Sequence, residues 1–471
     1  MSFTSLPAEI VLLILDCIDS AETLRTFCLV SARFRAIAQP LLYREITLGS
    51  EDLPLSLLLL CRTITSSPLI AAQVRSLDID TEQSSGLDTT KFTDRRGLSE
   101  NDTRLLRVEA GKLDIDTIEL LNSRSWATDS IILPLLLISR FPNLRELFIS
   151  LDPAGLSLLT SLAQARSADN TRQSLACLGS FRTLHLGCLR DLHGNGIDIR
   201  DITLLLSFLR LSKIQISNYD SNTTPISNGI DSFIPVEAAA NVPLGSLSVS
   251  TISLDRSSIN TADMGTLVNS CKALDNLYYG QYDSQAIQLT PEQVYSQLLS
   301  QRSTLRVLQL SYEDDSEEPG TPPRPPFTPP QFGSLREFTH LESLTIDQIY
   351  LNAAPEFPPS LTRLSIQNCQ TPIAGFLTYL ATLAATGLLP NLENIFLHSD
   401  TIYPGRMLDL PRRGATDVIF HEACRGLRGI FKGTGITLRL NKDLLEVTVR
   451  GYADAFEFGL PGVFWPFIRM L

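Results

Sequence analysis

Residues 144–149 read Leu144-Arg145-Glu146-Leu147-Phe148-Ile149, with apolar side chains at the first, fourth and sixth places. The last two are separated by one residue and fall on the same side of an extended chain, because strand side chains alternate. The pattern returns as Phe181/Leu184/Leu186, Leu211/Ile214/Ile216, Leu244/Leu247/Val249, Leu274/Leu277/Tyr279 and Leu305/Leu308/Leu310. Leu341/Leu344/Ile346, Leu361/Leu364/Ile366 and Leu392/Ile395/Leu397 follow, and Leu438-Arg439-Leu440 reads as a degenerate end copy. From Leu147 to Ile395 the central residues recur at steps of 20 to 37. Recurrence on this scale marks a stacked-repeat architecture. Apolar helix-like stretches lie between the copies, at Leu156 to Ala163, Ile202 to Leu209 and Phe376 to Ala385. A strand followed by a helix, repeated, gives an α/β solenoid, a curved parallel sheet with outer helices. The length agrees: 471 residues is about three times a typical domain, which an elongated array accommodates without one oversized core.

The repeats resemble those of leucine-rich-repeat proteins, and the fold expected is leucine-rich-repeat-like. The asparagine or cysteine those proteins carry after the strand is held here by Cys188 and Cys369 and mostly missing elsewhere. The long interval between Leu77 and Leu147 is expected to hide one or two degenerate copies around Thr103 to Leu121. Glu313 to Phe332, EDDSEEPGTPPRPPFTPPQF, has an acidic run and seven prolines, which suit neither a helix nor an inner strand. It reads as a disordered insertion, with Thr321 and Thr328 before prolines as candidate phosphorylation sites. The aromatic tail, Phe456 to Leu471, reads as a cap for the end of the array.

Upstream, Pro7 suits the first position of a helix and Glu9 its first turn. Ile10, Leu13, Ile14, Cys17 and Ile18 form a stripe at helical spacing. Ser20 and Ser31 are placed to cap a second and a third helix, and Pro40 is expected to end the third. A strand-like segment follows at Glu45 to Leu48, then an apolar helix from Glu51 to Ser66 and a second extended segment from Val74 to Ile79. Three helices in about forty residues do not bury an adequate core alone. Leu6, Ile10, Val11, Leu12 and Leu13 exceed what one inner stripe uses, and each is worth roughly 1.5–3 kcal/mol when buried. Either the rest of the chain or a partner covers the surplus.

The run LPAEIVLLILDCI…LRTFCLVSARFRAIAQPLLYREITL resembles the F-box, through Leu6, Pro7, Glu9, Ile10, Leu24, Leu29, Val30, Ser31, Phe34, Pro40, Leu42 and Tyr43. Tyr43 stands where animal members commonly have tryptophan, and Leu-Tyr there resembles fungal members. The division expected is an F-box at 1–48 and the repeat array at 49–471. The resemblance implies a Skp-family adaptor bound through apolar helix faces, with Leu6, Pro7, Ile10, Ile14, Leu24, Val30 and Phe34 as docking residues. Each of these also suits the core of the F-box itself. The implied role is the substrate-recognition subunit of a cullin–RING (SCF-type) ubiquitin ligase, with cullin reached through the adaptor and an unidentified target held by the repeats. The alternatives are an F-box protein acting outside a ligase complex and a non-catalytic repeat scaffold.

A net charge of −12 disfavours a nucleic-acid partner. The eight cysteines are scattered, with no CxxC pair, and read as buried free thiols of a reducing compartment, cytoplasm or nucleus. Neither a signal sequence nor a membrane span is expected, since the start lacks basic residues and the aliphatic runs are short. The five histidines form no metal-binding spacing, and no phosphate-binding loop or nucleophile elbow is present. Asp78-Ile79-Asp80 and Asp114-Ile115-Asp116 read as polar strand flanks rather than metal ligands. Neither a catalytic residue nor a cofactor is expected.

Overall fold

The computed structural model describes residues 6–18, 20–49, 53–79, 104, 108, 132–168, 180–190, 196–221, 242–282, 289–313, 331–352, 354–367, 369, 373–398 and 429–440. Its strands follow one another in chain order, β1 to β12, in a parallel sheet. The chain divides into two compact units, residues 1–252 with 270–272, and 253–269 with 273–471.

The first unit opens with three helices, α1 (Ala8–Asp16), α2 (Ala21–Val30) and α3 (Ala32–Leu42). Pro7 is the N-cap of α1 rather than its first helical residue. The Thr23 N–H donates to Ser20 Oγ at 3.2 Å and the Phe34 N–H to Ser31 Oγ at 3.1 Å, so both serines cap as their positions predict. Pro40 does not end α3; the helix runs two residues further, to Leu42. Proline in the last turn costs one backbone bond, and its fixed φ is already helical. Tyr43 closes the end by donating its N–H to the Gln39 carbonyl at 3.2 Å.

Two residues later the chain enters β1 (Glu45–Leu48), which pairs with β2 (Ser76–Ile79) from Glu45↔Ser76 to Leu48↔Ile79. The sheet continues through β3 (Glu146–Leu151), β4 (Thr183–Cys188) and β5 (Lys213–Ser217). The connections carry α4 (Leu53–Ser66), α5 (Pro68–Ala71), α6 (Ile132–Arg140), α7 (Pro153–Ala168) and α8 (Ile199–Phe208). Helix α4 packs on α6, and α7 on α8. Strand–helix crossovers of this kind are what a parallel pairing requires. Along the strands buried and half-buried residues alternate, so one face is covered and the other carries polar side chains. The repeat residues Leu144, Leu147, Leu184, Leu211 and Ile214 lie on the covered side and are fully buried.

The second unit repeats the plan with β7 (Asn276–Tyr282), β8 (Val307–Glu313), β9 (Ser343–Asp347), β10 (Arg363–Gln367), β11 (Asn394–Leu397) and β12 (Thr437–Leu440). Its described α-helices are α9 (Thr261–Ser270), α10 (Pro291–Leu298) and α11 (Ile373–Ala385). The degenerate copy at Leu438 and Leu440 enters the sheet as β12.

Two expectations change. The fourth copy uses a different frame: β6 is Thr251–Asp255, and Leu247 makes only an isolated bridge to Cys271. Two overlapping matches exist here, Leu244/Leu247/Val249 and Val249/Ile252/Leu254, and the chain takes the second, burying Val249, Ile252 and Leu254. In the interval before Leu147, β2 pairs directly with β3; apart from Arg104 and Val108, the residues 103–121, where one or two degenerate copies are expected, lie outside those described. The insertion is shorter than 313–332. Glu313 is the last residue of β8, and Phe332 is buried, edge-on to the Tyr295 ring at 5.3 Å. Residues 314–330, with Thr321 and Thr328, and the tail from 456 lie outside the described residues.

Candidate functional site: a closed helical module with open apolar faces

Val11, Leu15, Leu24, Cys28, Phe34 and Ala38 form a buried cluster of their own, with Leu6, Ile18, Phe27 and Ile37 packed at its edge. Phe27 meets Phe34 edge-on at 6.0 Å, an arrangement aromatic pairs favour. Helix α3 packs on both α1 and α2. Polar contacts fix the helices at their ends. The Arg35 guanidinium donates to the Cys28 carbonyl at 3.1 Å, and that of Arg33 to the Leu6 carbonyl. Arg44 pairs with Asp16 at 2.7 Å, tying the end of α1 to the exit of α3. That pair is half exposed and contributes about 1 kcal/mol at most.

Of the stripe at helical spacing on α1, Ile10, Leu13, Ile14 and Cys17 face outward, and Ile18 packs against the buried cluster. Val11 and Leu15 point inward, whereas Ile10, Leu13 and Ile14 are exposed by 43%, 64% and 39%, and Cys17 is exposed with them. Both stripes are apolar and both have helical spacing, so periodicity alone does not rank them. Leu12 is also exposed. On α2 the core takes Leu24 and Cys28, and the last turn presents Leu29 and Val30 at 73% and 63% exposure. Monomeric proteins seldom leave such groups of large apolar side chains in water without a function.

Of the seven docking residues the resemblance implies, Ile10, Ile14 and Val30 stand on these open faces and Pro7 is exposed beside them. Leu6 is partly buried against the cluster. Leu24 and Phe34 do not belong to the open faces: at 7% and 3% exposure they are core residues, one inward position on α2 and the aromatic plug from α3. Leu12, Leu13 and Leu29 join the open set. The signal for them was the apolar surplus itself, more leucines than one inner stripe consumes.

A second surface is the uncovered side of the sheet. Asp78, Phe148, His185 and Gln215 stand in register across β2 to β5. The Phe148 and His185 rings stack at 3.8 Å, 12° from parallel. Burial, and then the charge of Lys213, push the His185 imidazole down to about 4, against a weaker opposing bond with Gln215. Arg145 and Arg182 lie one residue before their strands and are exposed, whereas Lys213 and Arg363 are first strand residues. Arg306 is held by Glu342 at 2.7 Å.

Among the described residues no three His, Cys, Asp or Glu side chains gather as a metal site, and no helix is long and apolar enough to cross a membrane. The six described cysteines are free; Cys17 is exposed and the other five are buried. Burial pushes the Cys61, Cys188 and Cys271 thiols up to about 12.

A closed three-helix core with apolar faces left open is the layout of a docking module. The family model described as F-box-like matches residues 3–49, so the chain carries an F-box-like segment that reaches into the first strand of the sheet. F-box domains generally act as non-catalytic adaptors that bind Skp-type partners. No curated protein matches the chain.

Proposed function

We propose that the protein is the substrate-recognition subunit of a cullin–RING (SCF-type) ubiquitin ligase, acting in the cytoplasm or nucleus. The observation that carries this reading is the pair of open apolar faces on a module whose own core is complete. Ile10, Leu13 and Ile14 on α1, and Leu29 and Val30 on α2, stay exposed although Val11, Leu15, Leu24 and Phe34 already close the interior. A Skp-family adaptor covers those faces and brings cullin with it, while the repeats hold a target protein. The uncovered strand face, which carries the Phe148–His185 stack on β3 and β4, is the target surface this reading favours. The contribution is proximity: a held target sees a high local concentration of the charged conjugating enzyme. No catalytic group of this chain is involved.

Affinity purification of the full chain tests the reading. Adaptor and cullin recovered together support it, and Ile10→Asp abolishes the recovery of both. Recovery of adaptor without cullin assigns the protein a role outside a ligase. Recovery of neither, unchanged by Ile10→Asp, leaves a repeat scaffold.

A further inference from the structure

We infer that the rim of the sheet where β1 to β4 begin is a docking groove for an acidic peptide segment, rich in Asp or Glu, of a partner protein. The inference rests on the receptor reading only for the idea that this partner is the target. In the first unit the residue immediately before each of four successive strands is an arginine: Arg44, Arg75, Arg145 and Arg182. Their backbones are locked in register. The Arg44 carbonyl accepts the Arg75 and Ser76 N–H groups at 2.9 and 3.1 Å. The Arg75 carbonyl accepts those of Arg145 and Glu146 at 2.7 and 3.0 Å, and the Arg145 carbonyl those of Arg182 and Thr183 at 2.8 and 3.0 Å. Parallel strands lie about 4.8 Å apart, so four rungs set guanidiniums along roughly 14 Å, the reach of four or five extended residues.

Two cavities open on this rim. One, of about 520 Å³, is lined by Arg44, Arg75 and Arg145; the other, of about 350 Å³, by Arg145 and Arg182. Arg145 lines both, so the two cavities adjoin along the rim. Arg44 is already engaged by Asp16 and Glu45. Arg75, Arg145 and Arg182 form no side-chain ion pair among the described residues, and all three are exposed. Among the described residues the carboxylates lining the cavities are those of Glu45 and Glu146. Arg44, Arg75, Arg145 and Arg182 outnumber Asp16, Glu45 and Glu146 among the described residues there, so the rim is positive on a chain whose net charge is −12.

Aligned guanidiniums favour carboxylates, which their planar forks bind through paired N–H donors. An acidic peptide suits a groove of this length. A nucleic acid does not, because its phosphates would meet the field of the whole acidic chain over a longer span.

Fluorescence anisotropy on the full chain tests the groove with four probes: a labelled Glu-rich peptide, its Gln-for-Glu counterpart, a phosphoserine peptide of equal length and single-stranded RNA. The Glu-rich peptide is expected to bind, more weakly as salt rises, and the Gln counterpart to fail. The double variant Arg75→Glu/Arg145→Glu weakens binding by about tenfold or more. Arg190→Glu, a charge reversal beyond the other end of β4, leaves it unchanged. No binding of the Glu-rich peptide, equal loss with Arg190→Glu, or binding confined to the phosphopeptide or to RNA would overturn the inference. Adaptor capture is measured on the same preparation. Peptide binding lost with capture kept removes the groove alone, and capture lost removes the receptor reading.

Discussion

At the residue scale, His185 is the titratable side chain whose surroundings make the clearest statement about pH. Its imidazole lies against the Phe148 ring, and burial lowers its pKa from 6.5 to about 4. The unfolded chain takes up a proton near pH 6.5, while the folded chain refuses it until about 4. Stability from this group is therefore complete above pH 6.5 and drains away as pH falls through that window. Asp201 works in the opposite sense. Burial, and then the charge of Asp198, raise its pKa to about 6, so the folded state takes up a proton first and gains stability on acidification. His185→Gln isolates the histidine. Urea midpoints of variant and wild type are expected to converge as pH drops from 7 to 5, because only the wild type loses the histidine contribution. Parallel midpoints at both pH values would show the ring to be solvated.

At the scale of elements, the repeats were largely legible because each buries the same three apolar positions, and burial of that kind writes itself into sequence. Where two frames overlap, as at residues 244–254, the apolar pattern is silent. The hydroxyl one place before the repeat decides it. Ser180 donates to the Leu144 carbonyl at 2.7 Å, Thr304 to Leu274 at 3.0 Å and Ser360 to Leu341 at 2.8 Å. Ser248 does the same to Leu211 at 3.0 Å, which marks Val249 as the true start of the fourth copy. These bonds run between neighbouring repeats at the strand entry. Ser180→Ala is expected to lower stability by about 1 kcal/mol with an unchanged denaturant slope; an unaltered urea midpoint would show that water replaces the hydroxyl freely. The helices were harder to read. On α1 two apolar stripes compete, and the structure buries 11 and 15 because those face α3, a tertiary fact absent from local spacing.

At the scale of the whole molecule, a chain of 471 residues joins a short F-box-like segment to a twelve-stranded parallel sheet. The module was legible from fixed residues in order, Leu6-Pro7 through Leu42-Tyr43. Which of those residues touch a partner was not, because core and contact positions of a small module are both apolar. What the strand face would hold in the proposed role is not legible either: a polar strand face tolerates many side chains, and its order comes from register. Titration of a purified Skp-family adaptor against the full chain, with Val30→Asp and Leu13→Asp alongside, tests the central claim most directly. The account predicts saturable one-to-one binding, at least about thirtyfold weaker in each variant, with thermal unfolding unchanged because neither side chain supports the core. Equal affinity for wild type and both variants, or no binding by the wild type, would contradict it.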